Sequence, residues 1–271
     1  MVLPPPSTEA GRRGLDSLLA EPGRALLALD FDGTLAPIVP DPDAARGHPE
    51  VPAVLTRLAG AGVHIAVVTG RPAGTAVEYA GIADVPGLVV LGHYGLERWQ
   101  DGRVTAPEVS EGVQRARREV DRVLAEAGTP DGTWVEDKGR AVAVHTRRTP
   151  DPQGTFESLR EPLAALARDC GLVVEPGRYV LELRPEGADK GAALGSLVDE
   201  LHPASVTFAG DDLGDLTAYD EVDRRRDAGL PGLLVCSGST ETTALAERAD
   251  LVVDGPDGVV ALLAALADEL A

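Results

Sequence analysis

Lysine is nearly missing from this chain: among its 25 basic residues only Lys138 and Lys190 are lysine, and the rest are arginine. A drift toward arginine spares lysine where a compact ammonium is needed and a planar guanidinium does not fit. Positive charge as a whole is scarce. Asp and Glu number 44, for a formal net charge of −19, which argues against a nucleic-acid partner, because phosphate backbones are held by clustered Lys and Arg. A phosphorylated metabolite stays open, provided a metal and a few cations reverse the sign locally. Cysteine is limited to Cys170 and Cys236, with no CxxC and no metal-ligand spacing, so both read as small buried hydrophobes. No apolar run approaches a membrane span. Residues 1–13, Pro-rich and polar, lack the apolar core of a signal peptide and read as a flexible tail. A cytoplasmic location is expected. Long polar blocks that would indicate disorder are also missing.

What is present is a rhythm. The 271 residues suffice for one large domain or for one domain carrying a smaller second one. Short apolar runs, each ending in small or polar residues, occur at Ala25–Leu29, Val63–Val68, Leu88–Leu91, Ser205–Ala209, Leu233–Cys236 and Asp250–Val253. Such runs read as strands buried on both faces. Helical patterns separate them, among them Pro52–Ala61, Lys190–Leu201 and Gly258–Leu270. The alternation predicts an α/β fold, a parallel sheet covered by helices on both sides. Ligands in such folds sit beyond the carboxyl ends of the strands, where Asp30, Thr69 and Asp211 lie.

The middle of the chain has a different order. A helical pattern at Val109–Ala127 precedes short strands, Thr133–Val135 and Ala141–Thr146, around Lys138-Gly139-Arg140. A second helical pattern, Phe156–Cys170, precedes Leu172–Glu175 and Arg178–Leu183 around Pro176-Gly177. Helix, hairpin, helix, hairpin implies an antiparallel sheet. Residues 104–185 therefore read as an inserted α+β domain, between core segments 1–103 and 186–271.

Asp30-Phe31-Asp32-Gly33-Thr34 follows directly on the first run. Period-two geometry can point both carboxylates to one side, and Gly33 permits a sharp exit. Two carboxylates held together repel, so a divalent cation or a shared proton is needed; magnesium suits an all-oxygen site. One carboxylate can then attack phosphorus while the other handles protons.

These residues resemble the haloacid dehalogenase superfamily of phosphatases. Its motifs match in order: Asp30-x-Asp32-Gly33-Thr34, then Thr69-Gly70-Arg71, then Lys190 opening a helix, then Gly210-Asp211-Asp212-x-x-Asp215. The resemblance implies a Rossmann-like core and a cap, with Asp30 as nucleophile and Asp32 as general acid and base. It implies Mg2+ held by the Asp30 side chain, the Asp32 backbone carbonyl and Asp211, with Asp212 and Asp215 tuning the site directly or through water. Thr69 and Lys190 would hold phosphoryl oxygens, with Gly70 and Arg71 beside them.

Further stretches resemble trehalose-6-phosphate phosphatases within that superfamily: Gly92-His93-Tyr94-Gly95-Leu96-Glu97, Val135-Glu136-Asp137-Lys138, His145-Thr146-Arg147, and Glu182-Leu183-Arg184-Pro185 leading to Asp189-Lys190-Gly191. Leu35-Ala36-Pro37-Ile38 with Pro40 is similar too. This resemblance implies that Glu136, Lys138 and Glu182 contact the sugar, and that His93, Glu97, His145 and Arg184 shape or brace the site. Glu182 and Arg184 also admit a plainer reading as a surface ion pair. The family continues its fourth motif as GDDxTDE, whereas Gly214 and Leu216 stand here, which puts helix capping at that loop in question. The expected substrate is a small sugar phosphate, trehalose 6-phosphate, with no nucleic acid and no membrane, acted on by a monomer. The alternatives are another sugar phosphate, such as sucrose 6-phosphate or mannosyl-3-phosphoglycerate, or a sugar phosphomutase.

Overall fold

The computed structural model describes residues 3–39, 41–238 and 243–271. Pro40, quoted above with the segment after the first motif, lies outside the described residues. The chain divides into two compact units, Met1–Ala106 with Asp189–Ala271, and Pro107–Ala188.

In the first unit the apolar runs form a sheet. Its strands are β1 (Ala25–Leu29), β2 (His64–Val68), β3 (Val89–Gly92), β4 (Glu97–Gln100) and β5 (Arg103–Thr105), then β10 (Ser205–Gly210), β11 (Gly232–Ser237) and β12 (Leu251–Val253). They lie in the order β12-β11-β10-β1-β2-β3-β4-β5. From β12 to β3 all neighbours are parallel. Successive residues of β1 serve opposite faces. Leu27 and Leu29 join a core with Leu55 of α2 (Val51–Gly60), Ala76 of α3 (Ala73–Ala80) and Leu263 of α9 (Gly255–Glu269). Leu26 and Ala28 join another with Leu194 of α6 (Lys190–Leu201), Tyr219 of α7 (Leu216–Asp227) and Leu245 of α8 (Thr243–Arg248). The sheet is thus covered on both sides, as near-continuous apolar strands require.

From β1 the chain steps outward to β2 and β3, then returns to β10 on the other flank of β1. The direction reverses between β1 and β10, where open α/β sheets leave a crevice at their carboxyl ends. Asp30 follows β1, Thr69 follows β2 and Asp211 follows β10. Connectivity alone brings three distant motifs together.

Three features depart from expectation. Residues 9–13 are not part of a flexible tail but open α1 (Glu9–Ala20), where Thr8 caps the helix by accepting from the Gly11 N–H at 2.9 Å. The preceding residues are pinned as well: the Ser7 N–H donates to the Asp250 carbonyl at 2.8 Å and the Thr8 hydroxyl to the Asp250 carboxylate. The second departure is β4 with β5, an antiparallel hairpin at the sheet edge. Asp101 and Gly102, with φ of 50° and 76°, make the left-handed pair that a tight hairpin needs. Val104 and Thr105 consequently belong to the first unit's sheet, not to the insertion. The third concerns the last hairpin of the second unit, described next.

That unit carries α4 (Glu111–Glu126), β6 (Trp134–Asp137), β7 (Val142–His145), α5 (Pro152–Asp169), β8 (Leu172–Gly177) and β9 (Val180–Pro185). Ser110 and Asp151 cap the two helices through the N–H groups of Val113 and Gly154. The sheet is antiparallel, in the order β6-β7-β9-β8. Its last turn falls at Arg178-Tyr179, with Tyr179 at φ 60°, rather than at Pro176-Gly177. Pro176 stays in β8 because β8 is an edge strand, where a missing N–H goes unnoticed. One face, with Val142, Val144, Leu181 and Leu183, packs on Val113, Val120, Leu159 and Leu163 of the helices. Pairing aligns Glu136, Ala143, Glu182 and Glu175 in one row across the other face.

Helix α1 lies against the sheet only because Gly14 has no side chain: a Cβ there would overlap the Gly232 carbonyl. Gly14→Ala is expected to destabilise the protein by about 1–3 kcal/mol despite its better helix propensity. A lower denaturant midpoint at unchanged slope is the expected signature, and an unshifted midpoint would contradict it.

Candidate active site

The site is built around the ammonium of Lys190. It is the first residue of α6, whose cap Asp189 accepts the Ala192 N–H at 2.8 Å. Its Nζ lies 2.7 Å from Asp30 Oδ1 and 2.7 Å from Asp215 Oδ1, and all three side chains are buried. Asp215 uses its other oxygen, Oδ2, to accept the N–H groups of Asp211 at 3.0 Å and Asp212 at 3.1 Å. One carboxylate thereby fastens the loop after β10 to the lysine. The Thr217 hydroxyl adds a second tie, accepting from the Gly191 N–H at 3.2 Å and donating to the Gly214 carbonyl at 3.3 Å. The departures at Gly214 and Leu216 therefore leave this loop hydrogen-bonded. Asp212 itself is exposed.

Asp30, Asp211 and Asp215 place their ligand atoms within 4.8 Å of one another, a group that can hold a metal. The residues fit a hard cation: the donors are all oxygen, the carboxylates are buried, and their negative charge exceeds what one ammonium neutralises. Gly33 makes the approach of the first loop possible. At φ 78° it adopts the left-handed conformation, and a Cβ there would overlap the Asp211 carboxylate. The Ser237 hydroxyl, at the end of β11, donates to the Gly33 carbonyl at 2.6 Å and fixes the loop from the other side.

Electrostatics follow from this crowding. Burial pushes the Asp30 pKa well up; Lys190 opposes the shift, and Asp215, Asp212 and Asp211 add to it. Burial alone would lower the Lys190 pKa, but Asp215, Asp30 and Asp212 outweigh it and hold the ammonium charged. The cluster's surplus negative charge adds to burial at Asp30 and overcomes it at Lys190. Asp211 is pushed up to about 7, by burial first and then by Asp215 and Asp212.

Asp32 does not share this cluster. Period two predicted a side-by-side pair with Asp30, but the two carboxylates occupy separate environments, each with its own cation. Arg71 Nε donates to Asp32 Oδ2 and Nη2 to Oδ1, both at 2.7 Å. The Asp32 side chain keeps 41% exposure where that of Asp30 keeps 4%. The reason is the exit from β1: after Asp30 the chain turns, with the N–H groups of Leu35 and Ala36 both donating to the Phe31 carbonyl at 2.9 Å.

Thr69 is buried, and its hydroxyl accepts the Arg71 N–H at 3.1 Å. Beside it stand His93 and Tyr94, consecutive residues at φ 47° and 57°, a costly conformation for side chains of this size. Their N–H groups donate to the carbonyls of Arg71 at 2.9 Å and Thr69 at 3.0 Å. The Tyr94 ring lies over Gly70, where a Cβ would meet its hydroxyl at 2.7 Å. His93 Nε2 is 3.8 Å from Glu97 Oε1, and Glu97 Oε2 accepts the Ala73 N–H at 3.0 Å. His93 and Glu97 thus brace the Thr69-Gly70-Arg71 loop.

Within the second unit, Lys138 Nζ donates to the buried Glu182 at 2.6 Å. His145 Nε2 lies 2.7 Å from Glu136 Oε2, and the His145 ring stacks on Trp134 with centroids 4.3 Å apart. Glu182 and Arg184 form no ion pair with each other: Arg184 reaches Glu175 at 2.8 Å and also bonds the Ala188 carbonyl. Sequence reasoning missed Ser237, Thr217 and Glu175. Ser237 had a signal, since it ends an apolar run just as Asp30 and Thr69 do; the other two had none.

Residues 28–252 match the family model described as trehalose-phosphatase. The chain belongs to the trehalose-phosphatase family. It is therefore a member of a family of phosphoric monoester hydrolases. The trehalose-phosphate phosphatase of Mycobacterium avium is 33% identical over 282 residues, covering 98% of this chain and 67% of that protein. A probable trehalose-phosphate phosphatase of Sinorhizobium fredii is 31% identical over 260 residues, covering 94% of each. In fold, the C-terminal domain of the C. albicans trehalose-6-phosphate phosphatase superposes with a TM-score of 0.76 at 22% identity, covering 98% of this chain and 99% of that one. Among the described residues no helix is long and apolar enough to cross a membrane.

The raised Asp211 pKa has a consequence for the metal-free protein. Folding tightens the proton on Asp211, so its contribution favours the native state below about pH 4 and is lost as pH rises through about 7. In chelator, the melting temperature should fall between pH 5 and 8, and Asp211→Asn should flatten that slope. Equal slopes in the two proteins would contradict the assignment.

Proposed function

We propose that this chain hydrolyses trehalose 6-phosphate to trehalose and phosphate, in the presence of Mg2+, through an aspartyl-phosphate on Asp30. The observation that carries the reading is Asp30, buried at the end of β1, against Lys190 and beside Asp211, in a chain whose relatives are named trehalose-phosphate phosphatases. In the first half-reaction a carboxylate oxygen of Asp30 attacks phosphorus. The bond from phosphorus to the sugar oxygen breaks, and Asp32 gives that oxygen a proton. In the second, water attacks phosphorus, its proton passes to Asp32, and the bond between Asp30 and phosphorus breaks to release phosphate.

The Asp30 side chain, the Asp32 backbone carbonyl and Asp211 would hold Mg2+, which when bound neutralises phosphoryl charge and polarises a phosphoryl oxygen. Lys190 donates to Asp215 and is ion-paired with Asp30, and its ammonium, with three N–H groups, can also donate to a phosphoryl oxygen. The Thr69 hydroxyl accepts from Arg71, so its own proton is available in the same way. Asp215, with both oxygens engaged, positions Lys190 and the Asp211 loop. The polar face of the second unit, Glu136 and Glu182 with Lys138, is assigned to sugar hydroxyls, which donate and accept hydrogen bonds alike, and His145 braces Glu136.

Phosphate release from a panel of sugar phosphates tests the substrate. Trehalose 6-phosphate is expected to lead by orders of magnitude, and turnover to vanish in chelator. Equal turnover of sucrose 6-phosphate or glucose 6-phosphate would overturn the substrate while leaving the chemistry standing. Asp30→Asn should abolish turnover but retain substrate binding by calorimetry; substantial residual turnover would mean a different nucleophile. Lys138→Ala should raise KM more than it lowers kcat, and unchanged kinetics would remove the lysine from the sugar site.

A further inference from the structure

The pair formed by Arg71 and Asp32 is fixed far more firmly than a phosphate-binding arginine requires. Both guanidinium contacts are 2.7 Å long and form a two-pronged fork on the carboxylate, the geometry that sets a carboxylate's plane as well as its place. The guanidinium carbon lies 5.4 Å from the centre of the Phe31 ring and 5.5 Å from that of Tyr79. Tyr79 is held in turn by Arg46, at 4.2 Å over its ring. The Arg71 backbone is tied at both ends: its N–H donates to the Thr69 hydroxyl, and its carbonyl accepts from His93 in the left-handed turn. With 14% of its side chain exposed, Arg71 has little room to turn away.

We propose that Arg71 is the positioning residue for Asp32 in the second half-reaction, holding the ionised carboxylate at the orientation in which it takes a proton from the attacking water. This rests on the two-step reading given above. An ionised carboxylate offers about four lone-pair sites. The fork occupies one on each oxygen, and the partly exposed remainder can accept from water. Asp32 is ionised at just this stage, having given its proton to the departing sugar. Water then forms its bond to phosphorus, the bond from Asp30 to phosphorus breaks, and the water proton goes to Asp32.

Rapid-quench kinetics with p-nitrophenyl phosphate and Mg2+ separate the steps, since this leaving group departs without an acid. Asp32→Asn and Arg71→Met are each expected to release p-nitrophenol in a burst approaching one equivalent per enzyme. Steady turnover should then be slower than in the wild type by about 10- to 100-fold. Arg71→Lys, which keeps the charge but loses the fork, should fall between wild type and Arg71→Met. A burst in Asp32→Asn but in neither Arg71 variant would overturn the inference and leave the two-step reading intact. No burst in Asp32→Asn would overturn the two-step reading itself. A raised KM without a burst in both Arg71 variants would make Arg71 a phosphate ligand only, which also overturns the inference. Arg71→Lys serves as the deciding variant if Arg71→Met does not fold.

Discussion

One ammonium shared by two buried carboxylates organises the site. Lys190 lies 2.7 Å from both Asp30 and Asp215, and those residues come from three separate stretches: the exit of β1, the start of α6 and the loop after β10. Buried charges are tolerated only when paired and hydrogen-bonded. Asp215 meets that condition on both oxygens, with Lys190 on one and the Asp211 and Asp212 N–H groups on the other. The lysine therefore does more than neutralise Asp30. It determines where the next loop places Asp211, and so where three carboxylates converge.

The chain sorts its cations by shape. Asp30 receives an ammonium, a compact charge that fits between two carboxylates in a buried space. Asp32 receives a guanidinium, whose plane matches both its oxygens and slots between aromatic rings. Lys138, the other lysine, also ends against a buried carboxylate, that of Glu182. In a chain with a formal charge of −19, both lysines meet buried carboxylates.

Strained backbone stands beside the candidate site, as it does elsewhere at Asp101, Tyr179 and His202. His93 and Tyr94 adopt left-handed backbone side by side, and their N–H groups reach back to Arg71 and Thr69. Gly33 is held by Ser237 on one side and abuts Asp211 on the other. Each unfavourable turn is offset by hydrogen bonds to a neighbouring strand end. The result is a set of loops whose positions depend on the sheet and not on their own conformational preferences.

Local signals carried much of this into view. The apolar runs marked β1, β2, β3, β10, β11 and β12 because burial on both faces demands continuous hydrophobicity, and the spacing of the acidic motifs marked the ends that matter. What went unseen was of two kinds. The hairpin of β4 and β5 is short and charged, and the docking of α1 depends on Gly14 meeting Gly232, a contact between residues remote in sequence. The split between Asp30 and Asp32 was likewise invisible. A two-residue spacing specifies geometry only while the strand continues, and here the chain turns immediately after Asp30. Sequence by itself determined most of the buried elements and the candidate residues at their ends, because propensity and burial are local averages. Tertiary structure alone decided which cation meets which carboxylate, because that depends on strand order, and charges that far apart along the chain have no local means of choosing each other.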